Sequence, residues 1–190
     1  MYAEAPASAI DNMNLCLEAG VPVVVGTTGW TEHKDEVKNY CTQNNGTVVY
    51  ASNFSIGVNL FFALNKKLAE LMKNQPQYEV DMEEIHHTEK KDAPSGTAIT
   101  LAEGLMSQNP SKVRWVNEST DNIDELEIIS KRIDQVAGTH TVFYNSPIDT
   151  IEIKHTAHSR EGFAQGAVMA AEWTAKHRGV FGMNDLLKIS

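Results

Sequence analysis

The sequence predicts an α/β fold: a parallel sheet in the first third of the chain, then an α+β portion built on a mixed sheet. Three observations carry this expectation. Two apolar runs, VPVVV (Val21–Val25) and the opening of TVVYASNF (Thr47–Phe54), each follow a segment with helical spacing. Near-continuous apolar runs mark strands buried on both faces, and their alternation with helices is the order of a parallel sheet. Several strand-like runs then crowd between Val113 and Arg160, where a different sheet must form.

The elements follow in order. Apolar side chains recur at helical spacing from Ala7 to Ala19, and Gly20 is a natural helix stop. The run Val21–Val25 ends at GTTGW (Gly26–Trp30), and a polar helix is expected from Thr31 to about Thr42. NNG turns the chain into the strand that opens at Thr47. Phe61, Leu64, Leu68 and Leu71 mark one face of a long helix, closed by Asn74–Gln77 with Pro76. YEVDMEEIHH reads as extended. VRWVNE, the stretch from Ile128 to Val136, THTVFYN and TIEIKHTAH read as a meander, antiparallel or mixed, with one covered face. Ala164–Lys176 returns to helix, and FGMNDLLKI closes with a short one.

Composition narrows the function. Apolar residues make up 42% of the 190, so a core is affordable. The formal charge of −9 argues against nucleic acid as a partner. Cys16 and Cys41 lie in no metal-ligand spacing, and two lone thiols fit a reducing compartment. No apolar run approaches the roughly 20 residues of a membrane span. No basic-then-apolar leader opens the chain. A cytoplasmic protein is expected, with no membrane partner.

The chemistry concentrates in EEIHHTEKKDAPSGTAITLAEGL, Glu83–Leu105. Ala98, Leu101, Ala102 and Leu105 are periodic, so Ser95, Gly96 and Thr97 open a helix. Free amides at a helix start, an approachable glycine and two hydroxyls suit a carboxylate or phosphate. Taken alone, the triplet reads first as an ordinary N-cap. His86 and His87 end a strand and point to opposite sides, so they chelate one metal poorly. No cysteine or third histidine lies at a useful spacing, and no metal is expected. Lys90 and Lys91 put positive charge beside the helix start, Asp92 can orient a base or the loop, and Pro94 stiffens the approach. Histidine exchanges protons near neutral pH.

The pattern H-x-x-x-K-x-D-x-P-S-G-T-A, His86 through Ala98, resembles the signature of the dihydrodipicolinate reductase family. VVVGTTGW, ASNFSIGVNLF, GTHTVFY and HSREGFAQGA resemble further family segments. The resemblance implies a partial Rossmann-like domain over 1–54, a substrate-binding and oligomerisation domain over 55–159, and C-terminal helices over 160–190 that return to the first domain. It implies reduction of 4-hydroxy-tetrahydrodipicolinate, or its dehydrated form, to tetrahydrodipicolinate with NADH or NADPH, in lysine and diaminopimelate biosynthesis. His86 is implied as proton donor or acceptor, Lys90 as proton donor. His87, Ser95, Gly96 and Thr97 are implied to hold substrate carboxylate. Gly26, Thr27, Thr28, Ala51, Ser52, Asn53 and Phe54 are implied to meet the nicotinamide end, with Arg160 and Phe163 approaching the cofactor. A homotetramer is implied as the assembly, and a small dicarboxylate heterocycle as the substrate.

The family's glycine-rich pyrophosphate turn has no counterpart: G-x-G-x-x-G occurs nowhere among the twelve glycines. The adenosine and pyrophosphate half is therefore expected to be missing, and a non-catalytic form that keeps the oligomerising sheet stands as the alternative. An aspartate or amino-acid dehydrogenase-like oxidoreductase would not be expected to carry the whole His86–Ala98 pattern. Hydrolase chemistry lacks a G-x-S-x-G nucleophile turn.

Overall fold

The computed structural model describes residues 6–189. The chain separates into two compact units, one built from the chain up to Asn59 together with Glu161 onward, the other spanning Leu60–Arg160. No helix is long and apolar enough to cross a membrane among the described residues.

The first unit is α/β with a parallel sheet. Helix α1 (Pro6–Glu18) leads to β1 (Val23–Val25); a 3-10 turn (Thr31–His33) and α2 (Lys34–Gln43) lead to β2 (Thr47–Tyr50). After the second unit the chain returns as α5 (Glu161–Thr174), β8 (Gly179–Phe181) and α6 (Met183–Leu187). The sheet order is β1-β2-β8, all parallel, with Val25 opposite Tyr50 and Val49 opposite Phe181. Val48 joins Met13, Leu17, Trp30, Val37 and Cys41 on one face, and Val49 joins Phe54, Ala170, Met183 and Leu186 on the other. Both faces are covered, which is why the strand reads as an unbroken apolar run.

Local chemistry trims the predicted elements. Gly20 ends α1 in the left-handed conformation (φ 68°), and the Val21 N–H donates back to the Cys16 carbonyl at 2.8 Å. With that amide used by the helix, and Pro22 carrying none, β1 starts only at Val23. Strand β8 was invisible in the sequence: three residues between Gly179 and Gly182 offer no periodicity to read.

The second unit carries the rest of α3 (Ile56–Met72), then β3 (Glu79–His86), α4 (Gly96–Met106), β4 (Arg114–Val116), β5 (Glu125–Arg132), β6 (Gly138–Asn145) and β7 (Thr150–Ala157). Its sheet is mixed, in the order β4-β5-β3-β6-β7. The expected meander is therefore corrected: β3 inserts between β5, which it pairs in parallel, and β6, which it pairs antiparallel. Val80, Met82, Leu126, Ile128, Val142 and Tyr144 pack on α3 and α4, while the alternate residues face away. On that opposite face Lys131 pairs with Glu83 at 2.5 Å and Asn145 donates to Asp81 at 2.7 Å.

The expected face of α3 also shifts. Phe61 and Ala69 are buried in the core and Leu68 packs against it, but Leu64 (52% exposed) and Leu71 (62%) lie outside. The helix instead turns Asn65 inward, and its Nδ2 donates to the Leu101 carbonyl at 2.9 Å, tying α3 to α4. A helical stripe drawn from apolar residues alone cannot see a buried polar tie.

Gly166 in α5 marks a close approach in the first unit. A Cβ there would stand 1.8 Å from the Phe54 carbonyl oxygen, a backbone atom that cannot swing away. Gly166→Ala is expected to cost about 1–3 kcal/mol through overpacking. Chemical denaturation measures it, and an unchanged midpoint would show that α5 relaxes freely from Phe54.

Candidate functional site

The site grows out of strand parity. Along β3 the buried positions are Val80, Met82, Glu84 and His86, so the apolar face turns polar over its last two members. The flanking strands make the same change in register. Glu84 lies opposite Ser130 on β5 and His140 on β6, and His86 lies opposite Arg132. Two polar rows thus cross the sheet where α4 begins.

Glu84 is fully buried and is the hub of both rows. The Ser95 N–H donates to both of its oxygens at 3.1 Å, the Ser130 hydroxyl donates at 2.8 Å, and Arg132 donates at 3.1 Å. His86 Nδ1 stands 3.2 Å from Oε2, and His140 Nε2 stands 3.7 Å from it. Burial pushes the Glu84 carboxyl up, but the polar contacts from His86, Ser95, Ser130 and Arg132 outweigh it and hold the group well below the usual carboxylate range. It is ionised at neutral pH.

His86 and His140 meet edge to face, with ring centroids 5.0 Å apart. Gly138 leaves the room for His86: a Cβ there, on a backbone at φ 157°, would stand 3.0 Å from Nε2. Burial, followed by the charge of His86, pushes His140 down to about 4, so it is neutral at neutral pH.

Ser95 is the N-cap of α4. Its oxygen accepts from the Ala98 N–H at 3.2 Å and lies 3.0 Å from His140 Nε2. The hydroxyl is committed inward, and the residue is 3% exposed. Gly96 is exposed and Thr97 half-buried. Among the described residues, no acceptor meets either of their N–H groups. These two amides, at the positive end of an eleven-residue helix, can receive an anion.

The loop between β3 and α4 presents the remaining residues. The Lys90 ammonium donates to both Asp92 oxygens, at 2.7 and 2.8 Å. The ammonium beside it holds the Asp92 carboxyl below its ordinary value. His87 is half-buried and follows the last residue of β3. The loop also carries a cis Ala93–Pro94 peptide.

In the first unit, Gly26, Thr27 and Thr28 follow β1, and Ala51, Ser52, Asn53 and Phe54 follow β2. The two loops therefore leave neighbouring parallel strands at their carboxyl ends, the place where open α/β sheets bind ligands. Gly26, Thr28 and Ser52 are exposed, and Trp30 Nε1 fixes the first loop by donating to the Thr27 carbonyl at 2.7 Å. Asn53 is held on both sides: its Oδ1 accepts from Ser55 N–H at 2.9 Å, and its carbonyl accepts from Asn59 at 2.8 Å. Phe54 faces the core instead, at 8% exposure. Phe163 is 38% exposed in the first turn of α5, and Arg160 is exposed at the end of the second unit. An open, braced pair of loops at this position fits a nicotinamide cofactor.

Sequence spacing missed Glu84, Ser130, Arg132 and His140. His140 is a third histidine that sequence spacing does not reveal: it is the cross-strand neighbour of Glu84, 56 positions away in sequence because a helix and two strands intervene. Glu84, His86 and His140 bring ligand atoms within 4.8 Å of one another, a spacing a metal ion could use. The cation that meets this carboxylate is the Arg132 guanidinium. The signal was present in β3, where a carboxylate occupies the buried parity between Met82 and His86.

A parallel α/β unit with open strand-end loops, joined to a unit with open helix-start amides beside ionisable side chains, is a build compatible with a two-domain reductase. Comparison with known proteins makes this particular. Family models described as Dihydrodipicolinate reductase, N-terminus and C-terminus, match residues 4–54 and 57–187. The 4-hydroxy-tetrahydrodipicolinate reductase of Christiangramia forsetii is 50% identical over 182 residues, covering 96% of this chain and 76% of that protein. The protein of the same name from Oleidesulfovibrio alaskensis is 37% identical, covering 96% and 73%. A solved dipicolinate-bound dihydrodipicolinate reductase from Paenisporosarcina sp. TG-14 superposes with a TM-score of 0.74 at 25% identity, over 96% of this chain and 71% of that one. The chain belongs to the dihydrodipicolinate reductase family and is an oxidoreductase.

His140 gives the site a pH signature. Its folded pKa of about 4 lies below the ordinary 6.5, so the unfolded chain takes up a proton that the fold refuses. Stability is expected to fall as pH drops through that window, by on the order of 3 kcal/mol at its foot. His155, also lowered by burial, adds in the same direction. Denaturation midpoints across the window should flatten in H140N, and equal slopes in parent and variant would mean that His140 protonates in place.

Proposed function

We propose that the chain reduces 4-hydroxy-tetrahydrodipicolinate, or its dehydrated form, to tetrahydrodipicolinate with NADH or NADPH, as a cytoplasmic homotetramer in lysine and diaminopimelate biosynthesis. The observation that carries the reading is the pair of unpartnered amides at Gly96 and Thr97 beside the Lys90–Asp92 pair. The substrate is a small heterocycle bearing two carboxylates, and the Paenisporosarcina relative is named as binding dipicolinate, an aromatic dicarboxylate of the same outline.

In this reading the Gly96 and Thr97 amides, the Thr97 hydroxyl and His87 receive a substrate carboxylate. Ser95 contributes by capping the helix that presents those amides. When bound, the nicotinamide supplies the hydride. Lys90, paired with Asp92, meets the negative charge that hydride addition builds and delivers the proton. His86, at 8% exposure and facing Glu84, exchanges protons from beneath the loop. Gly26, Thr27, Thr28, Ala51, Ser52 and Asn53 hold and orient the nicotinamide end, with Phe54 shaping the loop from within and Arg160 and Phe163 approaching from α5 and its lead-in.

Two substitutions test the assignment. Lys90→Met and His86→Gln are each expected to lower kcat by about 10²–10⁴-fold, the usual worth of a placed acid or base, while dipicolinate still binds by calorimetry. The readout is oxidation of NADH or NADPH in the presence of substrate. Full turnover in Lys90→Met would remove Lys90 from the chemistry.

A further inference from the structure

We infer that Arg132, braced by the buried Glu84, is a positioning residue that fixes the place from which Lys90 acts. The inference rests on the reading of Lys90 given above and adds a residue that reading does not contain.

Arg132 is the last residue of β5, opposite His86 in the parallel ladder. Its guanidinium spans two parts of the unit at once. Nη2 donates to Glu84 Oε1 at 3.1 Å and to the Asp92 carbonyl at 2.6 Å, and Nε donates to the Lys90 carbonyl at 3.3 Å. Nη1 donates to the Lys131 carbonyl at 2.8 Å, which locks the fork to its own strand. One rigid plane therefore ties a sheet carboxylate to the backbone on both sides of Lys91.

Lys90 is consequently held at two points. Its backbone is held through the carbonyl by Arg132, and its ammonium is held by Asp92, whose own carbonyl meets the same guanidinium. The side chains of Arg132 and Lys90 are 20% and 23% exposed and that of Glu84 is 1% exposed, so the brace is anchored on a carboxylate shut off from solvent. A lysine at position 132 could neutralise Glu84 but could not reproduce the fork, because an ammonium is a single point of donors. The role of the charge and the role of the fork are thus separable.

The test is Arg132→Lys in the full chain, with Lys90→Met beside it. Arg132→Lys is expected to unfold near the parent temperature, since Glu84 keeps a cation. Its kcat is expected to fall by about 10- to 100-fold, the scale of lost charge-assisted hydrogen bonds, with KM for the nicotinamide cofactor unchanged. In lysine-labelled protein the Lys90 side-chain resonance should move toward that of a free lysine. Arg132→Lys that turns over like the parent, while Lys90→Met is impaired, overturns the positioning role and leaves the Lys90 reading standing. Lys90→Met that turns over like the parent overturns both. Should Arg132→Lys fail to fold, the parent chain decides: an Arg132 Nε–H protected from solvent exchange is expected, and rapid exchange overturns the inference.

Discussion

The site depends on a charge placed where charge is costly. An ionised carboxylate loses several kcal/mol of hydration on entering a protein interior. Glu84 recovers this through the Ser95 amide on both oxygens, the Ser130 hydroxyl and the Arg132 guanidinium. Those donors come from two other elements, the start of α4 and the end of β5, so a single carboxylate joins both to the central strand. Were the same position apolar, Ser95 N–H and Arg132 would be left without that shared acceptor.

This arrangement also reconciles an acidic chain with the anionic substrate proposed for it. The formal charge is −9, yet the first amide of the cap is spent on Glu84 and the next two remain open. The carboxylate beneath is answered locally by Arg132, and the carboxylate of Asp92 by Lys90, so neither stands as bare negative charge facing the helix start. Local pairing, not net charge, sets the field a ligand meets.

Much of this was legible in residues and spacing. The two buried strands, the start of α4 at the Ser-Gly-Thr triplet and the crowding of ionisable groups before it were all readable because each is a local pattern. The open amides are a consequence of where α4 begins, and that followed from the periodicity of Ala98, Leu101, Ala102 and Leu105. What escaped was everything that depends on register. Glu84, Ser130, Arg132 and His140 assemble only because β3 enters the sheet between β5 and β6. A reading that laid the strands out in sequence order could not place them together. The buried side of α3 escaped for a related reason: Asn65 faces inward because it has a carbonyl on α4 to serve, a partner no spacing along α3 reveals.

The way one unit interrupts the other in sequence has a kinetic meaning. The second unit is made from one uninterrupted stretch, so it can close on itself as soon as β7 has been synthesised. The first cannot: β8 pairs with β2, and the Thr47 hydroxyl reaches the His177 carbonyl across 130 positions. The entropy of closing so long a loop grows only with the logarithm of its length, and folding of the intervening unit shortens the span that must be searched. The polar cluster around Glu84 can therefore form before the parallel sheet has its last strand.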